Sequence, residues 1–433
     1  MPVALIESLD HEGRGVSHVD GKAVFIEGAL PGETVEYVVL RERPRYAQAE
    51  VTRIVTTSAQ RVAPPCVHFG TCGGCSMQHL DALAQTAAKQ RMLEDALWHI
   101  GKIEPEIIHA LIHGPAWGYR HRARLSVRVV PSKGGVLIGF HQKRSSHIAD
   151  MQSCAVLPAQ ISALVPALHT LVAGLSIADR VPQIEIAVSD TVTAFVFRHL
   201  LPFTERDQGA LRTFADTHGI QVWLQAAGPE TAALLHPQGG PGLAYTLPEF
   251  DVSMDFRPTD FTQVNGHINR VLVRRAMQLL DPRAGERIAD LFCGLGNFSL
   301  PIARRGATMV GVEGSTALVA RALANAESNG LAARCEFHVA DLFQTTEDSL
   351  AALGALDKLL IDPPREGAIA VVKAISAAQR PRRIVYVSCN PATLARDAAV
   401  LVREKGYVLR GAGVANMFPQ TSHVESIALF ERD

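Results

Sequence analysis

The feature that most restricts the fold is the alternation of helical and β-branched strand patterns from about residue 257 onward. Residues 287–292 form a strand-like run, residues 293–297 (Cys-Gly-Leu-Gly-Asn) a tight turn, and Phe298 begins a helical pattern. Such alternation is typical of a doubly wound α/β fold, in which helices cover both faces of a parallel sheet. Because ligands of these sheets bind beyond the carboxyl ends of the strands, we expect a site at that edge.

Four strand-like runs in this region end at or near an acidic residue: Asp290, Glu313, Asp341 and Asp362. Glu313 follows the glycine turn by about twenty residues, the spacing of a carboxylate that binds both ribose hydroxyls. A glycine turn alone fits NAD equally well, and a single acid after a strand is more often a helix cap. The turn reads G-x-G-x-x-S, without a third glycine. Together with the acids, this favours S-adenosylmethionine, which has no pyrophosphate, over a dinucleotide.

A cysteine and a glutamate near the C-terminus suggest covalent catalysis. Residues 383–388 form a buried strand pattern that stops at Cys389, where an Asn-Pro pair follows, and Glu425 ends the string Phe-Pro-Gln-Thr-Ser-His-Val-Glu. A cysteine in an apolar strand is usually a small core residue. Because Asn-Pro ends this strand at the sulfur, the pattern instead predicts a thiol in an active site.

These two side chains suit methylation of an electron-poor carbon such as C5 of uracil. Addition of a thiolate at C6 makes C5 nucleophilic, and after methyl transfer a carboxylate can remove the C5 proton so that the thiolate leaves. We therefore expect Cys389 to be the nucleophile and Glu425 the proton acceptor. A free thiol has a pKa of about 8.5, so we also expect surroundings that stabilise the Cys389 thiolate.

Residues 1 to about 57 contain short strand-like runs at 23–26, 34–40 and 49–55, separated by glycines. This pattern predicts a small β-barrel. Arginines 41, 43, 45 and 53 lie in or beside these strands, with Tyr46 among them. Such a set suits a surface that binds phosphates and stacks on bases, although a solvated strand edge explains it equally well.

Three cysteines form a C-x5-C-x2-C cluster, Cys66, Cys72 and Cys75, and Cys154 follows far downstream. Four thiolates suit zinc and an iron-sulfur cluster about equally. After the cluster, leucine and alanine residues recur at helical spacing from Leu80 as far as Gly101, which predicts a long helix with a glycine cap.

Arg120, Arg122 and Arg124 alternate along a strand-like run and should project from one face. They are interpreted either as an RNA-facing strip or as a solvated surface. The net charge of −1 excludes a globally basic nucleic-acid binder, so RNA binding would depend on such local patches. Apolar runs are far shorter than the ~20 residues of a membrane span, and the N-terminus lacks signal-peptide features. We expect a cytoplasmic protein without a membrane partner.

Taken together, these motifs are similar, from end to end, to the bacterial 23S ribosomal RNA uracil-C5 methyltransferases of the RlmD (RumA) type. The N-terminal string His-Glu-Gly-Arg-Gly-Val at 11–16 resembles their TRAM barrel, an OB-like RNA-binding fold. Phe-Thr-Gln-Val-Asn at 261–265 is also a family motif, whereas Asp-Pro-Pro-Arg-Glu-Gly at 362–367 departs slightly from the family's Asp-Pro-Ala-Arg-Ala-Gly.

The resemblance implies an α/β Rossmann-like class I S-adenosylmethionine-dependent methyltransferase domain at 78–111 and 257–433. It also implies a TRAM β-barrel at 1–57 and an α+β central domain at 58–77 and 112–256, with a [4Fe-4S] cluster on Cys66, Cys72, Cys75 and Cys154. Because four ligands close such a cluster, it would be structural or RNA-facing.

The same resemblance assigns roles to single residues. Cys389 and Glu425 match the nucleophile and the proton acceptor, and Phe261 matches a residue that stacks on the target base. The implied cofactor-binding residues are Gln263, Phe292, Asn297, Glu313, Asp341 and Asp362. The implied partner is 23S ribosomal RNA, with no obligate protein partner.

Other functions remain open at this stage. A tRNA uracil-C5 methyltransferase would share the same chemistry. Asp362-Pro-Pro resembles the motif of amino-group methyltransferases, but Arg365 replaces the aromatic residue of that motif. A non-enzymatic RNA-binding iron-sulfur protein is the alternative from a different class.

Overall fold

The structure is a computed structural model that describes residues 1–133, 135–376 and 380–432. It contains two six-stranded sheets, a two-stranded ribbon and an eight-stranded sheet. Within the described ranges, no helix has both the length and the apolar character that a bilayer crossing requires.

The N-terminal sheet has the order β1-β5-β6-β4-β3-β2. Its core is built from alternate residues of these strands, including the buried Val24, Ile26 and Val35. The three predicted runs all lie in strands, so the β-character of this region follows from the sequence. The strands are β1 (Val3–Leu5), β2 (Ser8–Leu9), β3 (Gly15–Val19), β4 (Lys22–Glu27), β5 (Thr34–Glu42) and β6 (Tyr46–Thr56).

Helix α1 (Ala82–Ala96) follows the cysteine cluster and runs into one π-helical turn, Leu97–Gly101. The Asp81 side chain accepts hydrogen bonds from the amides of Leu83 and Ala84 and so caps the helix N-terminus. The predicted glycine cap is wrong, because Lys102, with φ 53°, is the left-handed residue that ends the turn. Strand β7 (Ile107–Ile108) comes next.

The predicted apolar face is confirmed at Leu80, Leu93 and Leu97, which are buried, and is wrong at Leu83 and Ala87, which are exposed. Leu83 is 65% exposed, whereas three polar residues, Gln85, Thr86 and Lys89, are each no more than 1% exposed. Helix α1 therefore turns hydrogen-bonding side chains towards the interior of the protein.

The central sheet has the order β13-β12-β11-β10-β8-β9, and only β11 and β12 pair in parallel. Helices on this part of the chain cover its apolar residues. A capping box at Thr204 and Asp207 begins its longest helix, which ends at Gly219, with φ 62°. The elements are β8 (Arg122–Val130), β9 (Gly135–Gly139), α2 (Ala159–Ser162), α3 (Val165–Ala173), β10 (Gln183–Val188), β11 (Thr193–Arg198), α4 (Glu205–His218), β12 (Gln221–Gln225) and β13 (Ala233–His236).

The C-terminal part alternates strands and helices as predicted. It begins with a ribbon of β14 (Leu243–Leu247) and β15 (Val252–Phe256), followed by α5 (Gly266–Leu280). The remaining elements are β16 (Arg287–Leu291), α6 (Ser299–Arg304), β17 (Thr308–Glu313), α7 (Thr316–Ser328), β18 (Cys335–Val339), α8 (Glu347–Ala351), β19 (Lys358–Ile361), α9 (Ile369–Ala374), β20 (Arg383–Ser388), α10 (Pro391–Arg403), β21 (Val408–Ala415) and β22 (Glu425–Glu431).

The eight-stranded sheet has the order β18-β17-β16-β19-β20-β22-β21-β7. The five neighbouring strands β18, β17, β16, β19 and β20 are parallel. Strand β22 lies between β20 and β21 and runs antiparallel to both. Because β22 is antiparallel, its first residue lies at the same sheet edge as the carboxyl end of β20. Two apolar cores cover the two faces of the sheet.

Candidate active site

A cavity of about 580 Å³ lies at the carboxyl ends of the parallel strands. This volume is in the range of sites that bind small molecules and cofactors. The cavity brings together predicted residues from seven separate stretches of the chain: Phe261, Gln263, Phe292, Asn297, Glu313, Asp341, Asp362, Cys389 and Glu425.

The glycine turn after β16 is held against the end of β17. Phe292 has a left-handed φ of 64°, and Gly294 and Gly296, with φ 56° and 101°, continue the turn. The Gly294 amide donates to Glu313 Oε2 at 3.1 Å, and the Ser315 amide donates to Glu313 Oε1 at 3.0 Å. Both carboxylate oxygens of Glu313 are thus fixed by backbone donors, so this side chain is oriented before any ligand arrives.

Asn297 is held by two residues that the sequence did not point to. The Tyr245 hydroxyl donates to Asn297 Oδ1 at 2.9 Å, and the Asn269 and Asn297 amides exchange hydrogen bonds at 2.9 Å in both directions. Tyr245 lies on β14 and Asn269 on α5. No local sequence signal connects these elements, because only the packing of the ribbon and the helix places them beside the turn.

The four acids at the strand ends have different surroundings. Asp290 lies inside β16, is fully buried and accepts a hydrogen bond from Ser299 Oγ at 2.5 Å. Burial raises the pKa of Asp290 to about 7 and that of Asp362 also to about 7. Asp341 accepts the Phe343 amide at 3.0 Å and so caps a short 3₁₀ turn while it lines the cavity.

The pairing of β20 with β22 brings Cys389 and Glu425 to the same edge of the sheet. Ser388, the last residue of β20, pairs with Ser426 on β22, and the Ser426 hydroxyl donates to the Ser388 carbonyl at 3.0 Å. Cys389 directly follows Ser388 and Glu425 directly precedes Ser426, and both line the same cavity. The charge of Glu425 acts on the Cys389 thiol, so the two groups are close enough to act on one bound base.

The expected thiolate-stabilising environment is not found around Cys389. Burial raises the pKa of its thiol to about 12, the charges of Glu425 and Asp362 act in the same direction, and Arg365 opposes them. Burial and the charge of Asp362 also raise the pKa of Glu425 well above its usual range. In the protein alone, burial therefore disfavours the charged forms of both groups.

Three further residues of the cavity were missed by the sequence reasoning. Arg365 lies with its Nη2 atom 3.3 Å from His423 Nδ1, and the rings of His423 and Phe418 are 5.5 Å apart. Phe418 and His423 lie between β21 and β22, in a segment that has no regular pattern. In the sequence, Arg365 stands out only because it replaces the aromatic residue of the amino-group methyltransferase motif.

The four clustered cysteines line a second, small cavity of about 20 Å³, to which Phe140 and Arg120 also contribute. Burial raises the pKa of Cys75 to about 12, although a hydrogen bond from Gln78 lowers it, and the other three thiols add to the rise. In the part of the chain that the structure describes, no three or more His, Cys, Asp or Glu side chains are grouped as they would be around a metal ion.

The predicted arginine strip is wrong in one respect. Arg120 lies before β8, where its Nε atom donates to the Arg122 carbonyl at 2.9 Å. Arg122 and Arg124 do share a strand face, but Glu185 on β10 lies 3.9 Å and 3.1 Å from them. Their positive charge is thereby partly offset, because the pairing of β8 with β10 brings Glu185 to the same face.

Comparisons with known proteins define the family. A family model described as tRNA (Uracil-5-)-methyltransferase matches residues 83–433, and a TRAM domain model matches residues 3–52. The chain belongs to this methyltransferase family. The predicted S-adenosylmethionine-dependent methyltransferase fold and N-terminal TRAM domain are thus confirmed.

Curated relatives share most of the sequence of this family member. It is 76% identical over 432 residues to the 23S rRNA (uracil(1939)-C(5))-methyltransferase RlmD of Azoarcus sp., and each chain is covered to 100%. It is 74% identical over 433 residues to the RlmD of Aromatoleum aromaticum, again with 100% of both chains covered. These identities agree with the predicted RlmD type.

A solved structure shows the same fold over nearly the whole chain. The Pyrococcus abyssi tRNA (uracil-54, C5)-methyltransferase, in complex with S-adenosyl-L-homocysteine, matches with a TM-score of 0.75 and 23% identity. The match covers 99% of this chain and 100% of that one.

Proposed function

We propose that this protein methylates C5 of a specific uridine in 23S ribosomal RNA with S-adenosylmethionine, to give 5-methyluridine. The observation that carries this proposal is that Cys389 and Glu425, which flank the last paired residues of β20 and β22, line the cavity that Glu313 also lines. The choice of RNA follows the relatives that are 76% and 74% identical and are named as 23S rRNA methyltransferases. Ribosomal RNA as a substrate places the reaction in the cytoplasm.

In the proposed reaction, Cys389 first loses its thiol proton to solvent, and the thiolate Sγ then forms a bond to C6 of the uracil while the electron pair of the C5–C6 double bond moves into an enolate. S-adenosylmethionine, when bound, supplies an electrophilic methyl group and a positive charge on sulfur. After C5 has taken the methyl group, Glu425 accepts the C5 proton, the double bond re-forms, and the electron pair of the S–C6 bond returns to Cys389.

The raised pKa of Glu425 suits this sequence of steps, whereas that of Cys389 must fall before its thiolate can form. A positive charge near Asp362 favours the ionised forms of Asp362 and Cys389, so ligand binding would lower both values. Arg365 acts on Cys389 in the same direction. The raised pKa of Glu425 makes its carboxylate a stronger base than that of an ordinary glutamate, which favours transfer of the C5 proton to it.

The remaining residues of the cavity are assigned by where they lie. Glu313, with both oxygens fixed, would bind the ribose hydroxyls, and Asn297 lies in the turn that approaches the ligand. Phe261 is 69% exposed and yet lines the cavity, as a side chain that stacks on an incoming base should. Gln263, Phe292, Asp341 and Asp362 complete the proposed cofactor contacts.

We further propose that Cys66, Cys72, Cys75 and Cys154 hold a [4Fe-4S] cluster. Their thiols share one cavity, and four thiolates are the donor set of such a cluster. When bound, it would tie residue 154 to the 66–75 segment and so stabilise a central domain at 58–77 and 112–256. Arg124 on that domain, and the exposed Arg41, Arg43 and Arg45 of the 1–57 barrel, would contact RNA phosphates.

Mapping of modified nucleotides tests the reaction and the substrate together. A strain without the gene should lack one 5-methyluridine of 23S RNA, and a plasmid copy should restore it. A copy carrying Cys389→Ala should not restore this nucleotide. A copy carrying Cys335→Ala, which changes a buried cysteine of β18, should restore it fully. Loss of 5-methyluridine from tRNA alone would favour the tRNA alternative, and loss of a methylated amino group would favour the amino-group alternative.

A second test concerns cofactor affinity. Glu313→Ala removes two charge-assisted acceptors for the ribose, each typically stabilising by about 1.5–3 kcal/mol. We expect the dissociation constant for S-adenosylmethionine, measured by calorimetry, to rise about tenfold or more. Glu327→Ala, an exposed glutamate on the neighbouring helix α7, is the matched control and should change nothing. An unchanged constant for Glu313→Ala would contradict the proposed role.

A further inference from the structure

The loop that leads into Glu425 has an unusual set of contacts. This segment, residues 416–424, is called the base loop here, because it joins β21 to the strand that begins with Glu425. Its residues Phe418 and His423 line the large cavity. The base loop therefore places Phe418 and His423 in the cavity, and it leads directly into Glu425, the first residue of β22.

Helix α1 holds the base loop through its buried polar face. Lys89 Nζ donates to Asn416 Oδ1 at 2.7 Å and to the Phe418 carbonyl at 2.8 Å. Gln85 donates to Gln420 Oε1 at 2.9 Å and accepts the Gln420 amide at 2.8 Å. Asn416 also donates to Thr86 Oγ1 at 3.1 Å. Lys89, Gln85 and Thr86 therefore all form hydrogen bonds with the base loop.

The segment between the cysteines and α1 adds backbone contacts to the same loop. The amides of Ser76 and Met77 both donate to the Gln420 carbonyl, at 2.9 Å and 3.0 Å, and the Ser422 amide donates to Ser76 Oγ at 3.0 Å. The hydroxyl of the buried Tyr119 donates to the Pro419 carbonyl at 2.7 Å. The loop is therefore fixed from several sides.

Packing alone does not account for Lys89. Its side chain is fully buried, the two oxygens to which it donates are formally neutral, and burial lowers its pKa to about 7. Among the residues that the structure describes, no carboxylate pairs with Lys89; a buried ammonium group of this kind is costly, and a methionine would fill similar space without that cost. Gln420 also has a left-handed φ of 68°, which is unfavourable for a residue other than glycine. The burial of Lys89 and the left-handed backbone of Gln420 are both unfavourable, and both occur where the base loop is held in one conformation.

We propose that Lys89 and Gln85 are positioning residues for the reaction, which hold the base loop so that Glu425 reaches the C5 proton. This inference rests on the proposed function, because it takes Glu425 as the proton acceptor. It assigns to α1, which contributes no side chain to the cavity lining in the described structure, a role in the last step of catalysis.

The test compares two rates in the same protein. Lys89→Met should slow release of methylated RNA from the covalent adduct by about tenfold, since it removes the donor of two buried hydrogen bonds to the base loop. The rate of methyl transfer in a single turnover should fall much less, and calorimetry should give an unchanged S-adenosylmethionine affinity. Thr86→Val, a milder change that removes one acceptor, should slow release about threefold. Arg91→Met, an exposed residue of α1, is the control and should match the wild type.

The ratio of the two rates separates positioning from simple destabilisation. Partial unfolding lowers both rates together and leaves their ratio unchanged, whereas a displaced base lowers only the release rate. An unchanged ratio in Thr86→Val and in any folded Lys89→Met protein would overturn the inference. If Glu425→Gln itself accumulates no adduct, the proposed function fails instead, and the two failures are distinguished by that one variant.

Discussion

Glu425→Gln is expected to methylate its RNA and then remain attached to it, so that a protein–RNA band survives denaturing electrophoresis. The glutamine cannot accept the C5 proton, and without that step the bond between Cys389 Sγ and C6 cannot break. General base catalysis typically contributes 10²–10⁴-fold, so turnover should fall by about that factor. The attached RNA should carry the methyl group, which radiolabelled S-adenosylmethionine would reveal.

The controls for this experiment lie among the other cysteines. Cys389→Ala should give neither adduct nor methylation, whereas Cys335→Ala, buried on β18, should behave like the wild type. Substrate RNA with 5-fluorouridine should trap the wild-type protein as well, because fluorine cannot leave as a proton. An adduct that persists in Cys389→Ala would show that another nucleophile is used.

The methyltransferase sheet could be predicted closely because its signals are local. The run 383–388 was predicted as a buried strand ended by Asn-Pro, and β20 has those bounds. The glycine turn and Glu313 likewise lie within one βαβ unit, where sequence spacing and distance in space are coupled. The candidate catalytic pair was named from residue chemistry and resemblance, but its geometry depends on β22 pairing with β20. Spacing along the chain does not encode that pairing.

Predictions failed where polar side chains are buried by distant contacts. The helix after the cysteines was predicted from its leucines, yet Leu83 is exposed and Lys89 is buried, because Lys89 binds a loop more than 300 residues away. Periodicity assumes that apolar residues face inward, and it cannot detect a polar face that has partners. The raised pKa of Cys389 was missed for a similar reason, since burial by surrounding elements is not visible in the sequence.

The second large effect is expected at the cysteine cavity. Protein purified without oxygen should be brown and contain about four irons and four sulfides per chain, as a [4Fe-4S] cluster requires. Cys154→Ser should lose most of this iron, because it removes the ligand that joins the 66–75 segment to the rest of the central part. Cys335→Ser makes the same substitution at a buried thiol outside that cavity, and this variant should retain all of the iron. Zinc in equal amount with the protein, and no colour, would refute the cluster.

The consequences of losing the cluster should be unequal. Cys154→Ser is expected to weaken RNA binding strongly, because the central domain would lose a cross-link that stabilises its fold. Glu313 and the glycine turn are held by their own backbone contacts within the C-terminal sheet, so S-adenosylmethionine affinity should change much less. Ser76, next to Cys75, contacts the base loop, and release of methylated RNA should therefore slow as well. An equal loss of both affinities would instead mean that the central and C-terminal parts unfold as one cooperative unit.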